Sequence, residues 1–452
     1  MPMKQIWLAV GLICFPGCQK QIDVAEHPNI VILFADDLGY GDLSCYGHPT
    51  IRTPNLDRLA ETGIRLTSFY AAAPVCTPSR AALLTGRYPL RSTLPQVLGP
   101  NSEHGLPENE ITLAEALKDV GYRTMCIGKW HLGSTKPSYL PTANGFDSYF
   151  GLLYSNDMIP PWVQTSVPLR LYRDTTAVED PGDQSTLTKR YTEEAIKFIK
   201  SAKDAPFFLY LPYSMPHLPI NTAPEFRSKS RAGLYGDVIE TIDWSAGEII
   251  RTLKQAGLDR ETIVVFCSDN GPWINLPDRM LQQGVQPWHV GTKNLLRGAK
   301  AATYEGGMRV PAIISWPGQI PERQTSADIA TTMDLYTTLI KAAHAEVPSD
   351  RVVDGLDVMP FLKGETASPR EVFYYFHVDK LQAVREGKWK LRIAGYRRID
   401  NSSEMSETPE LYDLDIDPAE RINVAASNPD VVARLRVQME KMATEIGASI
   451  EN

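Results

Sequence analysis

The side chains most able to do chemistry start with Cys76-Thr77-Pro78-Ser79-Arg80, followed by Leu84-Thr85-Gly86-Arg87. Thr77 can cap a helix and Pro78 can open one. Cys76 is then expected at a helix N-terminus, where unpaired amides and the macrodipole favour an anion. Arg80 falls one turn later and can reach back to the same anion. A lone cysteine is usually a small buried hydrophobe, but chance seldom sets Pro, Ser and Arg at these offsets from it.

Two other stretches are acidic. Asp36-Asp37 and Asp269-Asn270 each end an apolar run. In open α/β sheets ligand groups gather at the C-terminal ends of strands. Four oxygen donors with no neighbouring His or Cys suit a hard cation, Ca2+ first and Mg2+ second. A lone Asp-Asp serves a turn or a helix cap equally well. Lys129-Trp130-His131 closes a further apolar run. If the chain stays extended there, Lys129 and His131 share a face, where an ammonium can hold an oxyanion and an imidazole can move a proton. Taken alone, the pair reads more simply as a solvated Lys and a packed His.

The elements that must position these groups alternate along the chain. Asn29 to Ala35 is apolar throughout, as in a strand buried on both faces. Strands are also expected at Tyr122 to Ile127, Phe207 to Leu211, Ile263 to Phe266 and Ala312 to Ser315. Helices are expected at Thr53 to Thr62, Leu113 to Val120, Tyr191 to Ser201 and Val238 to Gln255. The alternation predicts an α/β fold with a large, mostly parallel mixed sheet flanked by helices. After about residue 365 come short strands at Val372 to His377, Leu381 to Arg385, Trp389 to Ile393 and Leu411 to Leu414, then a helix from about Pro429 to Ile446. This predicts a small C-terminal antiparallel sheet plus helix. Ser402 to Thr408 reads as a polar loop. The expected organisation is a signal at 1–18, a catalytic domain at 26–365 and an α+β subdomain at 366–452.

With 452 residues, 43% hydrophobic and 22% charged, the chain is neither short of core nor mainly disordered. Its net charge of −8 argues against non-specific nucleic-acid binding, yet leaves room for a local basic pocket. Lys4 and the apolar run Ile6 to Phe15 read as a secretory signal. Gly17-Cys18 suggests an acylation site, so export to the periplasm or cell surface is expected, with membrane contact only through a lipid on Cys18. Cys45, Cys76, Cys126 and Cys267 have irregular spacing and predict no disulfide framework.

With these motifs in place, the chain resembles the sulfatase family of the alkaline-phosphatase superfamily, in its arylsulfatase A and N-acetylgalactosamine-6-sulfatase branch. Cys76-Thr77-Pro78-Ser79-Arg80 with Leu84-Thr85-Gly86 matches the family signature. The resemblance implies that a maturation enzyme oxidises Cys76 to formylglycine. It implies that Asp36, Asp37, Asp269, Asn270 and residue 76 surround a divalent cation. It gives Lys129 to sulfate binding and His131 to general-base work. His217, in Ser214-Met215-Pro216-His217, looks like the second active-site His. Lys300, in the run Arg297 to Gly307, looks like the Lys facing the leaving oxygen. The implied reaction is hydrolysis of a sulfate monoester on a sulfated saccharide. One hydroxyl of the formylglycine hydrate attacks sulfur, aided by Arg80, Lys300 and His217 meet the departing alkoxide, and His131 takes the second hydroxyl's proton.

Tyr154-Ser155-Asn156-Asp157 matches the family's polar pocket loop. Ser155 is open to a role with substrate or with the metal-side network, and Asn156 and Asp157 to sugar hydroxyls or an Asx turn. Trp273, Trp288 and His289, in the long 271–298 segment, can stack on a sugar or pack the loop. His104, His289, His344 and His377 carry no support of this kind. Two other functions stay open: a phosphoester or phosphonate hydrolase of the same superfamily, and a non-catalytic protein binding sulfated glycans.

Overall fold

The computed structural model describes residues 27–450 except Pro181, Lys203, Ala394, Asp400, Asn401 and Glu407. The expected signal and Cys18 lie outside the described residues. The large sheet contains β1 (Asn29–Ala35), β2 (Ile64–Tyr70), β3 (Arg123–Lys129), β4 (Ser148–Leu152), β5 (Leu171–Arg173), β6 (Thr176–Glu179), β7 (Phe207–Pro212), β8 (Thr262–Ser268), β9 (Arg309–Ser315), β10 (Gln324–Ser326) and β11 (Ala330–Thr331). Its order is β10-β2-β9-β8-β1-β7-β3-β4-β5-β6, with β11 beside β2. The central run β8-β1-β7-β3-β4 is parallel. Every residue of β1, β7 and β8 is buried, because helices cover both faces of a parallel sheet.

The helices are α1 (Pro54–Glu61), α2 (Cys76–Thr85), α3 (Leu113–Asp119), α4 (Leu187–Ser201), α5 (Gly233–Gln255), α6 (Glu305–Met308), α7 (Thr332–Ala342), α8 (Met359–Leu362) and α9 (Pro429–Ile446). α4 packs on β3, β7 and α5, α5 packs on α1, and α2 packs on α3 and α7. Capping boxes start α3 at Thr112 and Glu115 and α7 at Thr331 and Asp334.

The antiparallel strand β9 sits between β8 and β2. β2 therefore runs in the same direction as β8. The C-terminal ends of β1, β2, β3, β4, β7 and β8 all reach one edge, and the N-terminal end of β9 joins them there. That edge receives every side chain singled out for chemistry.

The smaller sheet has the order β12 (Val372–His377), β13 (Lys380–Glu386), β14 (Trp389–Arg392), β17 (Glu410–Asp413), with β18 (Ser449–Ile450) on β13. Its core of Phe373, Tyr375, Leu381 and Leu435 includes Tyr70 at the end of β2, Ala82 of α2 and Met333 of α7. The small sheet thus buttresses the helix that begins at Cys76. A buried ionic bridge ties the small sheet to the start of α6: Lys390 Nζ lies 2.9 Å from Glu305 Oε1 and 2.8 Å from Glu420 Oε1.

Two expectations need correction. The polar stretch from Ser402 is not a loop: β16 (Ser402–Ser406) pairs antiparallel with β15 (Gly395–Ile399). A strand without apolar alternation carries no period-2 signal. Thr77 is not a helix cap either: α2 starts at Cys76, with Val75 at the N-cap and no side-chain cap.

Candidate active site

Strand register builds the site. Ala35 pairs with Ser268, so Asp36-Asp37 and Asp269-Asn270 leave adjacent strands side by side. Asp37 N–H donates to Asp269 Oδ1 at 3.0 Å, and Asn270 Nδ2 donates to Asp37 Oδ1 at 2.7 Å. β3 ends on Lys129, the chain after β4 supplies Ser155, the chain after β7 supplies His217, and Cys76 follows β2. Asp37, His131 and Ala301 adopt left-handed backbone, at φ 64°, 60° and 69°. Non-glycine residues in that region store strain, and such strain clusters at functional sites.

Each of three carboxylates is held by a different cation. Lys129 Nζ lies 2.6 Å from Asp36 Oδ2, Lys300 Nζ 2.8 Å from Asp37 Oδ2, and Arg80 Nη2 2.7 Å from Asp269 Oδ2. Burial alone would raise the Asp36 carboxyl, but Lys129 and Arg80 hold it well below the usual carboxylate range. Burial would lower Lys300, and Asp37 reverses this and raises it. Burial and Asp36 push Asp269 up to about 7 despite Arg80, and when it is ionised three negative and three positive charges cancel around residue 76.

The oxygens facing inward fit a hard cation. Asp36 Oδ1 and Asn270 Oδ1 are buried without a hydrogen-bond partner. Ligand atoms of Asp36, Asp37 and His217 lie within 4.8 Å of one another. Unpaired buried oxygens are costly, and a Ca2+ or Mg2+ ion would satisfy them.

The two histidines are set for different work. His131 Nε2 donates to the Leu98 carbonyl at 2.9 Å, because a carbonyl only accepts. Its Nδ1 is buried and unpartnered. Burial and Lys129 push its pKa well below the ordinary histidine value, so the ring is neutral with a free lone pair on Nδ1. His217 Nδ1 donates to the Leu218 carbonyl at 2.7 Å, which leaves Nε2 3.6 Å from Asp37 Oδ2. Burial and Lys300 lower its pKa as well. Burial also pushes the Cys76 thiol up, which makes a bare thiolate a poor candidate for the nucleophile.

Arg80 Nη1 donates to the Lys129 carbonyl at 2.9 Å, tying α2 to the end of β3. Lys129 Nζ also donates to Ser155 Oγ at 3.1 Å. Asn156 Nδ2 donates to the carbonyls of His217 at 3.3 Å and Pro219 at 3.2 Å, so it clamps the His217 loop. Asp157 is buried beside them. The expected extended run through His131 ends at Lys129, and the left-handed turn sets the ring direction instead.

Asp36, Asp37, Asp269 and both histidines are nearly sealed, whereas the Lys300 side chain is 11% exposed. Beside it, residues flanking Cys76 and Lys300 line a cavity of about 300 Å3, formed by Val75, Pro78, Gln96, Val97, Ala301 and His377. His377 comes from the small sheet, and nothing near it in sequence marks it for this position. Trp273 packs against Lys300 and His217, while Trp288 is 69% exposed. Cys45, Cys76, Cys126 and Cys267 are free thiols.

The family model described as Sulfatase matches residues 28–345, and that described as N-sulphoglucosamine sulphohydrolase, C-terminal, matches residues 299–445. Human arylsulfatase A is 38% identical over 94% of this chain and 90% of its own length. Mouse N-acetylgalactosamine-6-sulfatase is 41% identical over 81% of this chain and 72% of its own length. A solved structure from work on the metabolism of multiple glycosaminoglycans by Bacteroides thetaiotaomicron is 30% identical, with a TM-score of 0.80 over 93% of this chain and 100% of that one.

Proposed function

The chain belongs to the sulfatase family, and we propose that it releases sulfate from sulfated saccharides through a formylglycine made from Cys76 beside a bound Ca2+. The observation that carries this reading is the pairing of three carboxylates with three cations around residue 76. The protein groups cancel, so a divalent ion leaves a net positive centre suited to a sulfate monoester. Asp36, Asp37, Asp269 and Asn270 would hold the ion, with residue 76 beside it. When bound, it supplies concentrated positive charge next to the sulfate oxygens. The formylglycine hydrate supplies two hydroxyls on one carbon, one to attack sulfur and one to lose its proton as the aldehyde returns.

The remaining steps belong to the chain's own side chains. Lys129 and Arg80 bind sulfate oxygens and stabilise charge that builds on them. His131 Nδ1 accepts the proton of the second hydroxyl. Lys300 stabilises the leaving oxygen, and His217 Nε2, neutral before attack, relays the attacking hydroxyl's proton to that oxygen so that it leaves as the alcohol. Asn156 positions the His217 loop, and Ser155 fixes the Lys129 ammonium. The cavity beside Ala301 and His377 seats the saccharide. Export, carried by the apolar run Ile6 to Phe15 with a lipid on Cys18, belongs to the same reading.

The test uses protein made with the maturation enzyme. The peptide bearing residue 76 is expected about 18 Da lighter than with unmodified Cys. Sulfate release is then measured on 2-, 4- and 6-sulfated galactose and N-acetylgalactosamine, and rates on aryl sulfate are compared with aryl phosphate. Only free thiol at residue 76 in native-source protein, or a faster rate on phosphate, overturns the reading.

A further inference from the structure

The segment after Asn270 places an aromatic ring at the open side of the site. Lys300 N–H donates to the Pro272 carbonyl at 2.9 Å, which fixes Trp273 next to that lysine. The Trp273 ring centroid lies 5.0 Å from Lys300 Nζ and 5.3 Å from Arg279 Cζ. The His217 ring lies 6.1 Å away, at 54°. Arg279 is itself anchored, donating through Nη1 to the Trp162 carbonyl at 3.0 Å. Two cations and an imidazole therefore already pack on this ring.

We propose that Trp273 is a positioning residue that holds the Lys300 ammonium where the leaving oxygen of the ester departs. The inference rests on the assignment of Lys300 to that oxygen. An ammonium held only by Asp37 Oδ2, at 2.8 Å, is free to swing about that single contact. The face of an indole attracts a cation within about 6 Å of its centroid, and partial burial strengthens the attraction. Trp273 is half-buried and supplies this second anchor. Its ring also limits the His217 side chain, so both groups on the leaving side share one wall.

This predicts an effect that depends on the leaving group. A phenol that leaves easily needs little help from Lys300, and a poor one needs much. Matured, Ca2+-loaded wild type, W273F, W273L, W273A and K300A are compared on 4-nitrophenyl, phenyl and 4-methoxyphenyl sulfate. For W273A, kcat is expected to fall less than about threefold on 4-nitrophenyl sulfate and about tenfold on 4-methoxyphenyl sulfate, with KM little changed. W273F is expected to stay within about threefold of wild type on all three. W273L fills the space without a π face, and it carries the comparison if W273A does not fold.

An equal loss across the series, or no loss, overturns the role of Trp273. If K300A steepens the series and W273A does not, Trp273 alone is misassigned. If K300A does not steepen it, the Lys300 assignment fails and this inference falls with it. A matured wild type that releases sulfate neither from these aryl esters nor from the sulfated saccharides rejects the proposed function itself, and with it this inference.

Discussion

Thr77 and His131 are joined directly: Thr77 Oγ1 donates to the His131 carbonyl at 3.0 Å. The same hydroxyl accepts from Leu98 N–H at 3.2 Å, and the Leu98 carbonyl accepts from His131 Nε2–H at 2.9 Å. The three residues close a ring that fixes the backbone at the start of α2, the left-handed turn at His131 and the tautomer of its imidazole. Thr77→Val keeps the shape and removes the hydroxyl. It leaves Leu98 N–H and the His131 carbonyl unpaired, at a cost of about 1–3 kcal/mol in urea unfolding. Misplacement of the base is expected to lower kcat roughly ten- to hundredfold in protein whose residue-76 peptide is fully matured. Unchanged kcat in matured Thr77→Val would show that the ring does not position the base.

The neutral state of His131 sets a pH dependence. Burial and Lys129 hold its pKa well below the ordinary histidine value. A general base works only when unprotonated, so activity is lost as pH falls through the base's own pKa. The acid limb of kcat/KM is therefore expected well below the ordinary histidine value of about 6.5, and His131→Asn should remove the activity that this limb reports. A limb centred at or above 6.5 in the wild type would contradict the neutral, buried base.

How much of this was legible beforehand depended on whether local pattern or tertiary contact set the outcome. Asp36, Asp37, Asp269 and Asn270 were legible because fully apolar runs stop at them, and buried parallel strands deliver their C-terminal ends to one edge. The short strands of the C-terminal sheet and α9 were legible from their period. The conformation of His131 was not, because the alternation rule assumes extended backbone and the chain turns left-handed there. Thr77 fitted the sequence preference for a cap, but its hydroxyl is used 54 residues away in sequence. β16 lacks apolar alternation, and its pairing with β15 is set by a partner rather than by its own sequence. For Trp273 both readings were open, and only the positions of Lys300, Arg279 and His217 separate them.

Removing the divalent ion is expected to silence the enzyme while leaving it folded. Asp36, Asp37 and Asp269 each keep a cation partner when the ion leaves, so the core is not left with three bare charges. On the proposed reading a bound ion would still add stability by mass action, about 2.7 kcal/mol at a hundredfold excess over its dissociation constant. Thermal unfolding with and without EGTA, followed by Ca2+ or Mg2+ titration, reads this directly. Asn270→Leu removes one unpaired oxygen and should lose the Ca2+-dependent rise. An identical unfolding temperature and rate in EGTA would reject a bound ion.

The ionic bridge at Lys390 yields a prediction in which the pH dependence of stability steepens on mutation. Glu305 accepts from Tyr70 at 2.6 Å, Tyr375 at 2.8 Å and Lys390 at 2.9 Å, and Glu420 Oε2 accepts from Glu305 N–H at 2.8 Å. Burial alone would raise Glu305, but Lys390 and two arginines lower it to about 2. That stabilisation is present above the unfolded glutamate value and is lost as pH falls through the folded one. Glu420 lacks those arginines, and burial raises it despite Lys390. Lys390→Met strips the shared cation and leaves Glu420 above all as an uncompensated buried charge. The expected cost is about 3–5 kcal/mol near neutral pH. The folded variant then binds more protons than the unfolded chain between the unfolded glutamate pKa and the raised folded one. Its stability must therefore climb as pH is lowered from 7.5 to 5, as measured by urea unfolding at both values. A Lys390→Met protein whose loss is the same at pH 5 and 7.5 would show that the bridge carries no net charge energy.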